Sequence, residues 1–380
     1  MENQPVQNVE IFPSNQKAIY NQFDNVEFVL DGYENRSILK NSICIEGDLR
    51  CLLGANDLQR INLQGVFYDS LSGVHGLVDT LFVETLNQNS LETINNYPRL
   101  IAMKNSTTQT QNDMVKLSDA VELVYPSLTM SNEIVRGLQF ERGGANAVAQ
   151  SDVQDISFSF NPYCCVNRTQ QDIPFGKTGS VRLNLILARN SDFFHGQAVQ
   201  DNSTLNYQIR NLKLRFKTVP SVNEKDPILL NVVYNIKNSI NSPFMNIHAK
   251  VPSVIKSVNA SFMKQTSEGS LRLNTKGQEI LPNLQTLQFY FNDAVSGQGI
   301  TYTIDTINEM IKRYLESWGD NSGTQISEKN YDSGESFGIG TNFGANIPLM
   351  NDTFSIQVRS DANNVNPFLI YLYFYGILQI

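Results

Sequence analysis

Residues 151–219 constrain the fold more than any other stretch of this chain. They hold three segments, DISFSFNPYCC, GSVRLNLILARN and LNYQIRNLKLRFKTV, in which apolar and polar residues alternate. Ile156, Phe158 and Phe160 fall on one side, Ser157 and Ser159 on the other. Val181, Leu183, Leu185 and Leu187 alternate in the same way around Arg182 and Asn184. Successive side chains of a strand point to opposite faces, so this pattern predicts half-buried strands of an antiparallel sheet. In the third segment Tyr207 and Ile209 precede Leu212, Leu214 and Phe216, with Lys213, Arg215 and Lys217 opposite. The phase slips by one between Ile209 and Leu212, which predicts a β-bulge.

The same texture runs through the rest of the chain. Strand signals occur at Val26–Leu30, Ile38–Ile45, Ile61–Tyr68 and Leu77–Leu86, and again at Ile228–Ile236, Ile247–Val251, Val254–Met263, Leu284–Phe291, Thr353–Arg359 and Phe368–Ile380. Leu91–Met103 reads as a mixed segment with a short helix broken before Pro98. Residues 104–114 read as an exposed loop and Val115–Val124 as a short helix. One helix is clear: Ile304, Ile307, Ile311, Tyr314, Leu315 and Trp318 recur at three- and four-residue steps. Thr303 is its expected N-cap, Asp305 and Glu309 lie at its positive end, and Gly319 is its stop. Residues 319–346, rich in Gly, Ser and Asn, read as a long loop. PSVNEKDP, residues 220–227, carries two prolines and reads as a linker.

Composition excludes more than it selects. Charged residues make up 17% of the chain, against ~25% in average globular proteins, and Asn alone occurs 43 times. A neutral polar surface suits a protein whose faces are covered by copies of itself; a low-GC genome, which also enriches Asn and Ile, gives the same composition. The net charge of −8 disfavours nucleic-acid binding, which needs a concentrated basic face. Lys213, Arg215 and Lys217 form the best basic stripe, and a solvated or subunit-contacting strand face accounts for them. The first 22 residues are polar, with Glu2 and Glu10, and read as an extended arm, neither signal nor transit peptide. The apolar C-terminus FLIYLYFYGILQI has 13 residues, short of the ~20 of a spanning helix, and reads as a buried strand.

No motif supports catalysis. Cys44, Cys51, Cys164 and Cys165 form no C-x-x-C pair, and Cys164 and Cys165, adjacent on a strand, would point to opposite faces; four free thiols made in a reducing compartment are expected. Sequons begin at Asn35, Asn105, Asn167, Asn202, Asn259 and Asn351, a number that composition explains. Gly176-Lys177-Thr178 resembles part of a phosphate-binding loop, but Gln171 stands where the first glycine belongs and a strand follows, so a turn is expected. Gly338-Ile339-Gly340 with Gly344 fits a dinucleotide loop poorly, since Phe343 holds the third glycine position, and reads as a flexible loop. His75, His195 and His248 lie at no ligand spacing. No catalytic, cofactor-binding or metal-binding residue and no cofactor is assigned, and the chain is not expected to be an enzyme.

Four passages carry a resemblance: GVHGLVDTLFVETL with NNYPRLIAM; DISFSFNPYCC with IPFGKTGSVRLNLILA; NYQIRNLKLRFKTV; and FGIGTNFGANIPLMNDTFSIQVRS with NPFLIYLYFYGILQI. In order and pattern, over most of residues 20–380, the chain resembles the double jelly-roll major capsid proteins of tailless icosahedral DNA viruses. The resemblance implies an all-β fold of two eight-stranded antiparallel jelly-roll sandwiches with short helices in loop excursions. It places an arm at 1–22, a first roll at 23–219, a linker at 220–227 and a second roll at 228–380. It also implies a structural role in the virion shell, as homotrimers of pseudo-hexameric outline. Partners would be further copies of the chain, vertex and minor capsid proteins, and an internal membrane where one exists, with no direct nucleic-acid contact. Two alternatives stand beside it: a single-jelly-roll vertex (penton) or minor capsid protein, and a β-sandwich glycan-binding protein, against which the single Trp318 argues.

Overall fold

The computed structural model describes residues 6–53, 59–60, 67–69, 71–86, 89–108, 122, 155–195, 205–221, 227–251, 254–269, 284–291, 299–303, 307–319, 338–348, 353–360 and 367–380. The strands of the first part of the chain are β1 (Gln7–Ile11), β2 (Asn25–Leu30), β3 (Arg36–Ile38), β4 (Cys44–Leu53), β5 (Gln59–Arg60), β6 (Phe67–Tyr68), β7 (Val78–Thr85), β8 (Ser90–Asn95), β9 (Ile156–Phe160), β10 (Ile173–Pro174), β11 (Val181–Leu187), β12 (Phe194–His195) and β13 (Leu205–Pro220). Those of the second part are β14 (Leu229–Ile240), β15 (Phe244–Lys250), β16 (Val254–Lys264), β17 (Leu284–Phe291), β18 (Gly299–Thr303), β19 (Ile339–Pro348), β20 (Thr353–Ser360) and β21 (Phe368–Gln379). The helices are α1 (Tyr97–Thr108), the single turns α2 (Cys165–Arg168), α3 (Phe175–Thr178) and α4 (Asn190–Phe193), and α5 (Ile307–Ser317).

Two sandwiches stand side by side and share one sheet. That sheet has eight strands in the order β19-β16-β21-β14-β8-β7-β11-β2, four from each part of the chain. A seven-stranded sheet, β10-β3-β13-β4-β5 with β1 on β13 and β9 on β4, covers the first half of it. A four-stranded sheet, β15-β20-β17-β18, covers the second. In the second sandwich Phe354 of β20 meets Phe374 of β21 edge to face, ring centroids 5.4 Å apart. In the first, the Tyr207 hydroxyl on β13 donates to the Ala188 carbonyl just beyond β11, at 2.5 Å. This is a double jelly-roll arrangement, mostly β, as the alternation predicts.

The strand phases follow the sequence. On β13, Leu205, Tyr207 and Ile209 are buried, then Leu212, Leu214 and Phe216. Arg210 stands opposite Asp48 and Lys213 opposite Glu46, so two residues face one: the expected bulge. Asn211 sits in it at φ 50, a left-handed conformation that Asn tolerates better than most residues. Phe158 and Phe160 are buried on β9. The apolar C-terminus is the interior strand β21, paired with β14 on one side and β16 on the other, and Phe368–Phe374 are buried on both of its faces.

Several expectations are corrected. Ile38–Ile45 is no single strand: β3 ends at Ile38 and β4 begins at Cys44. Leu91–Met103 divides cleanly into β8 and α1. Pro98 does not break that helix, because it lies in the first turn, where the N–H it lacks would have no intrahelical acceptor. Residues 104–108, expected as loop, continue α1; residues 109–114 and nearly all of Val115–Val124 lie outside the described residues. Thr303 ends β18 and does not cap α5, whose bounds are Ile307–Ser317. Ile304 and Asp305 lie outside the described residues. Glu309 is in the first turn of α5, where it pairs with Arg313. Gly319, at φ 82, does end the helix. Residues 339–346 are strand β19, not loop. Gly338 and Gly340 there allow close packing: a Cβ at Gly340 would lie 2.2 Å from Asn259 Oδ1, and one at Gly338 would lie 2.5 Å from the Tyr314 ring.

The described part of the arm is docked on its own chain. Its β1 pairs antiparallel with β13, and Ser14 and Asn15 then hydrogen-bond along β2: Ser14 N donates to the Glu27 carbonyl at 2.7 Å and Glu27 N to Asn15 Oδ1 at 3.1 Å. One segment thus covers an edge of each sheet of the first sandwich. It also helps to neutralise two cations of the basic stripe. Glu10 receives Arg215 Nε at 2.8 Å and Lys213 Nζ at 3.2 Å, and Glu46 on β4 receives Arg215 Nη1 at 2.9 Å. These two cations face carboxylates of their own chain.

Candidate functional site between the two sandwiches

The shared sheet changes character where the sandwiches join. All its strand pairs are antiparallel except β8 with β14, which run parallel and meet at the single pair Thr93–Tyr234. Side chains replace the missing ladder. Asn235 on β14 pairs reciprocally with the Asn95 backbone: Asn95 N donates to Asn235 Oδ1 and Asn235 Nδ2 to the Asn95 carbonyl, both at 2.7 Å. Three residues before Asn95 on β8, Glu92 is fully buried and accepts Val233 N at 2.5 Å, Cys165 N at 2.6 Å and the Arg168 guanidinium. Arg168, at the end of α2, also donates to the Asn231 carbonyl at 3.0 Å and the Tyr163 carbonyl at 2.8 Å, and its guanidinium stacks 4.6 Å from the Tyr163 ring centre. Asn231 Nδ2 returns a bond to the Arg168 carbonyl at 3.1 Å.

Electrostatics explain why this pair holds. Burial pushes the Glu92 carboxyl above the ordinary carboxylate range, while Arg168 and the two backbone N–H donors pull it back. Burial alone would lower the Arg168 pKa, but the facing carboxylate overrides it and raises it. A second bracket lies further along the seam, where Arg99 of α1 sits 4.3 Å from the Tyr371 ring centre and the Tyr373 hydroxyl donates to the Asn96 carbonyl at 3.2 Å.

A cleft of about 700 Å3 opens on the seam, lined by Lys104, Glu122 and Tyr163 from the first sandwich and by Lys256, Trp318 and Tyr375 from the second. His75 borders it. Its Nδ1 lies 2.9 Å from the Tyr97 hydroxyl, its Nε2 3.7 Å from Glu122, and its ring 4.8 Å from that of Phe160. Burial opposes the Glu122 charge, but His75, the Asn161 N–H and Lys104 outweigh it and lower the carboxyl pKa.

The other sequence candidates lie elsewhere. His248 is exposed on β15, its Nδ1 2.9 Å from Ser355 Oγ, and His195 belongs to β12. Gly176–Thr178 lie in the single turn α3, where Thr178 Oγ1 bonds the Pro174 carbonyl at 3.2 Å, and β11 follows. Cys164 and Cys165 are not on a strand: they open the turn α2, both buried. Cys44, half-buried, lies 2.8 Å from Ser159 Oγ, and no disulfide joins the four cysteines. Asn105, Asn167 and Asn259 are buried, which removes three sequons as modification sites. Among the described residues, no group of three His, Cys, Asp or Glu could hold a metal ion. The seam residues Glu92, Arg168, Asn95 and Asn235 were missed by sequence reasoning. One signal existed: Glu92 interrupts the apolar face of its strand.

No family model and no curated protein matches the chain. Solved structures do. The Faustovirus major capsid protein superposes with a TM-score of 0.64 at 9% identity, covering 99% of this chain and 90% of that one. The Sputnik virophage structure gives 0.59 at 13% identity, covering 100% and 87%. The PBCV-1 virus capsid model gives 0.58 at 12% identity, covering 100% and 96%. At such identities the likeness is one of fold: this chain is similar to these proteins over nearly its whole length and theirs, and shares their double jelly-roll architecture.

Proposed function

We propose that this chain is a major capsid protein, a structural subunit that self-assembles as pseudo-hexameric trimers into an icosahedral virion shell. The observation that carries the reading is the seam. Two sandwiches that share a sheet and are locked by a buried ion pair and an amide bridge form one block, fit to tile. The full-length similarity to viral capsid proteins supports it. In this reading the arm is 1–22, the first roll 23–219, the linker 220–227 and the second roll 228–380. The partners are further copies of the chain, vertex and minor capsid proteins, and an internal membrane where the virion has one. The protein is made in a reducing compartment and resides in the virion. It has no catalytic task, and two of the three cations of its basic stripe, Lys213 and Arg215, are occupied by its own carboxylates, so the genome is not its direct ligand. The vertex and glycan-binding alternatives gain no support from any particular residue.

Sedimentation of the purified protein at micromolar concentration, with negative-stain imaging, tests the proposal. Trimers of pseudo-sixfold outline are expected, held by large self-complementary surfaces. A stable monomer or a pentamer would overturn it.

A further inference from the structure

The cleft on the seam has a feature that a purely structural junction does not require. Strand β16 lies inside the shared sheet, between β19 and β21, and both of its ladders slip at one residue. Ile255 faces Gly376 and Ser257 faces Tyr375, leaving Lys256 as an extra residue; the β19 register shifts at the same place. A bulge within a sheet re-aims a side chain. Here it sets Lys256 at the cleft. The ammonium reaches one neutral acceptor, Asn231 Oδ1 at 3.3 Å, and forms no ion pair among the described residues.

Among the described residues, the other charges around the cleft are matched. Arg168 faces Glu92, and Lys104 and His75 face Glu122. Among the described residues, the Lys256 positive charge has no counter-charge. Beside it the cleft wall is aromatic: Trp318 and Tyr375 pack edge to face at 5.6 Å, and Tyr163 also lines the cleft. The indole N–H of Trp318 is buried with no acceptor among the described residues. Ligand pockets typically run from ~300 to ~1,000 Å3 and combine apolar walls with a few polar anchors, and this cleft fits that description.

We propose that the cleft binds a small monocarboxylate with a planar, unsaturated body: Lys256 pairs with the carboxylate, and Trp318 and Tyr375 flank the body. The charge count selects the class. One unmatched cation balances a monoanion, whereas a phosphate ester would bring a second, uncompensated negative charge into a partly buried site. This site is independent of the shell reading, and a failed titration would leave the trimer untouched.

Phenylpropionate, its neutral amide and phenylethyl phosphate are titrated into the purified full-length protein by calorimetry, with Trp318, the chain's only tryptophan, as fluorescent reporter. Saturable binding of the carboxylate with a change in Trp318 emission is expected, the amide and the phosphate each binding more weakly. Lys256→Met should weaken the carboxylate by roughly tenfold or more, the worth of one charge-assisted hydrogen bond. Lys256→Arg, which keeps the charge on the bulge, should retain most of the affinity. Unchanged binding in Lys256→Met, equal loss in both variants, tighter binding of the phosphate, or no saturable signal from any of the three would each overturn the proposal.

Discussion

Arg168→Met tests the seam most directly. The guanidinium it removes is one of three donors to Glu92, a carboxylate with no exposed surface. Methionine fills much of the same volume, so little of the loss is a cavity. What remains is a buried carboxylate with two backbone donors and no counter-charge, and two carbonyls, Asn231 and Tyr163, without their donor. Removing one partner of a buried pair costs about 3–5 kcal/mol, so we expect about 4 kcal/mol, or roughly a thousandfold in the folding equilibrium. The control is the same substitution at Arg182 on β11. There the pair with Glu27, at 3.6 Å and about a quarter exposed on both sides, should be worth under ~1 kcal/mol. Urea unfolding at one fixed protomer concentration measures both, since self-association would otherwise shift the midpoints. The double variant Glu92→Leu/Arg168→Met removes both charges and should recover much of the loss. Two results would refute the reasoning: a cost for Arg168→Met no larger than that for Arg182→Met, or a double variant as unstable as the sum of its single changes.

Three further outcomes follow from the same structure. Phe158→Asp puts an unpaired charge into the first sandwich and should abolish soluble expression, while Ser157→Asp, exposed beside Asp48, should cost under ~1 kcal/mol from like-charge contact; equal effects would mean that the strand phase is wrong. Hydrogen bonds from Arg215 and Lys213 hold the Glu10 carboxyl below its ordinary pKa, so its contribution to arm docking is present above the ordinary value and lost as pH falls through the lowered one. Hydrogen exchange of β1 should therefore rise in acid, and an identical profile in Glu10→Gln would exclude Glu10 as the cause. Burial raises the pKa of all four thiols, so the native protein should react slowly with a thiol reagent at mildly alkaline pH, Cys44 first, and the unfolded chain should react at all four; rapid labelling of Cys164 or Cys165 in the native state would contradict their placement in α2.

Much of the fold was legible because strands write their geometry into the sequence at short range. The alternation around Phe158, Leu185 and Phe216 fixed which face is buried, and the phase slip at Asn211 located a bulge before any pairing was known. Errors gathered where local patterns compete. Pro98 signals a helix end, yet in a first turn it is a start. The Gly-rich run at 338–344 has the composition of a loop, yet Gly338 and Gly340 are small because Tyr314, Ser317 and Asn259 press on β19. The apolar spacing of α5 gave the helix but missed Met310, which is buried beside Tyr314.

The seam was illegible for a different reason. Its parts, Glu92, Arg168, Asn95 and Asn235, lie far apart in the chain, and none belongs to a spacing that a strand or helix imposes. They act where secondary structure fails: two parallel strands touch at one residue pair, and the backbone groups around that point need partners that the ladder does not supply. A carboxylate accepts the N–H of Val233, and an amide serves both the N–H and the carbonyl of Asn95. An apolar junction would bury the same surface but tolerate sliding of one sandwich along the other. Hydrogen bonds of fixed direction do not, because a shift of one residue along β14 would leave Glu92 facing the wrong amide and Arg168 without the Asn231 carbonyl. The energy of the pair is therefore a weaker reason for its presence than the single register it permits. In the proposed shell, where a subunit would present both sandwiches to its neighbours at one fixed angle, register is the property that matters.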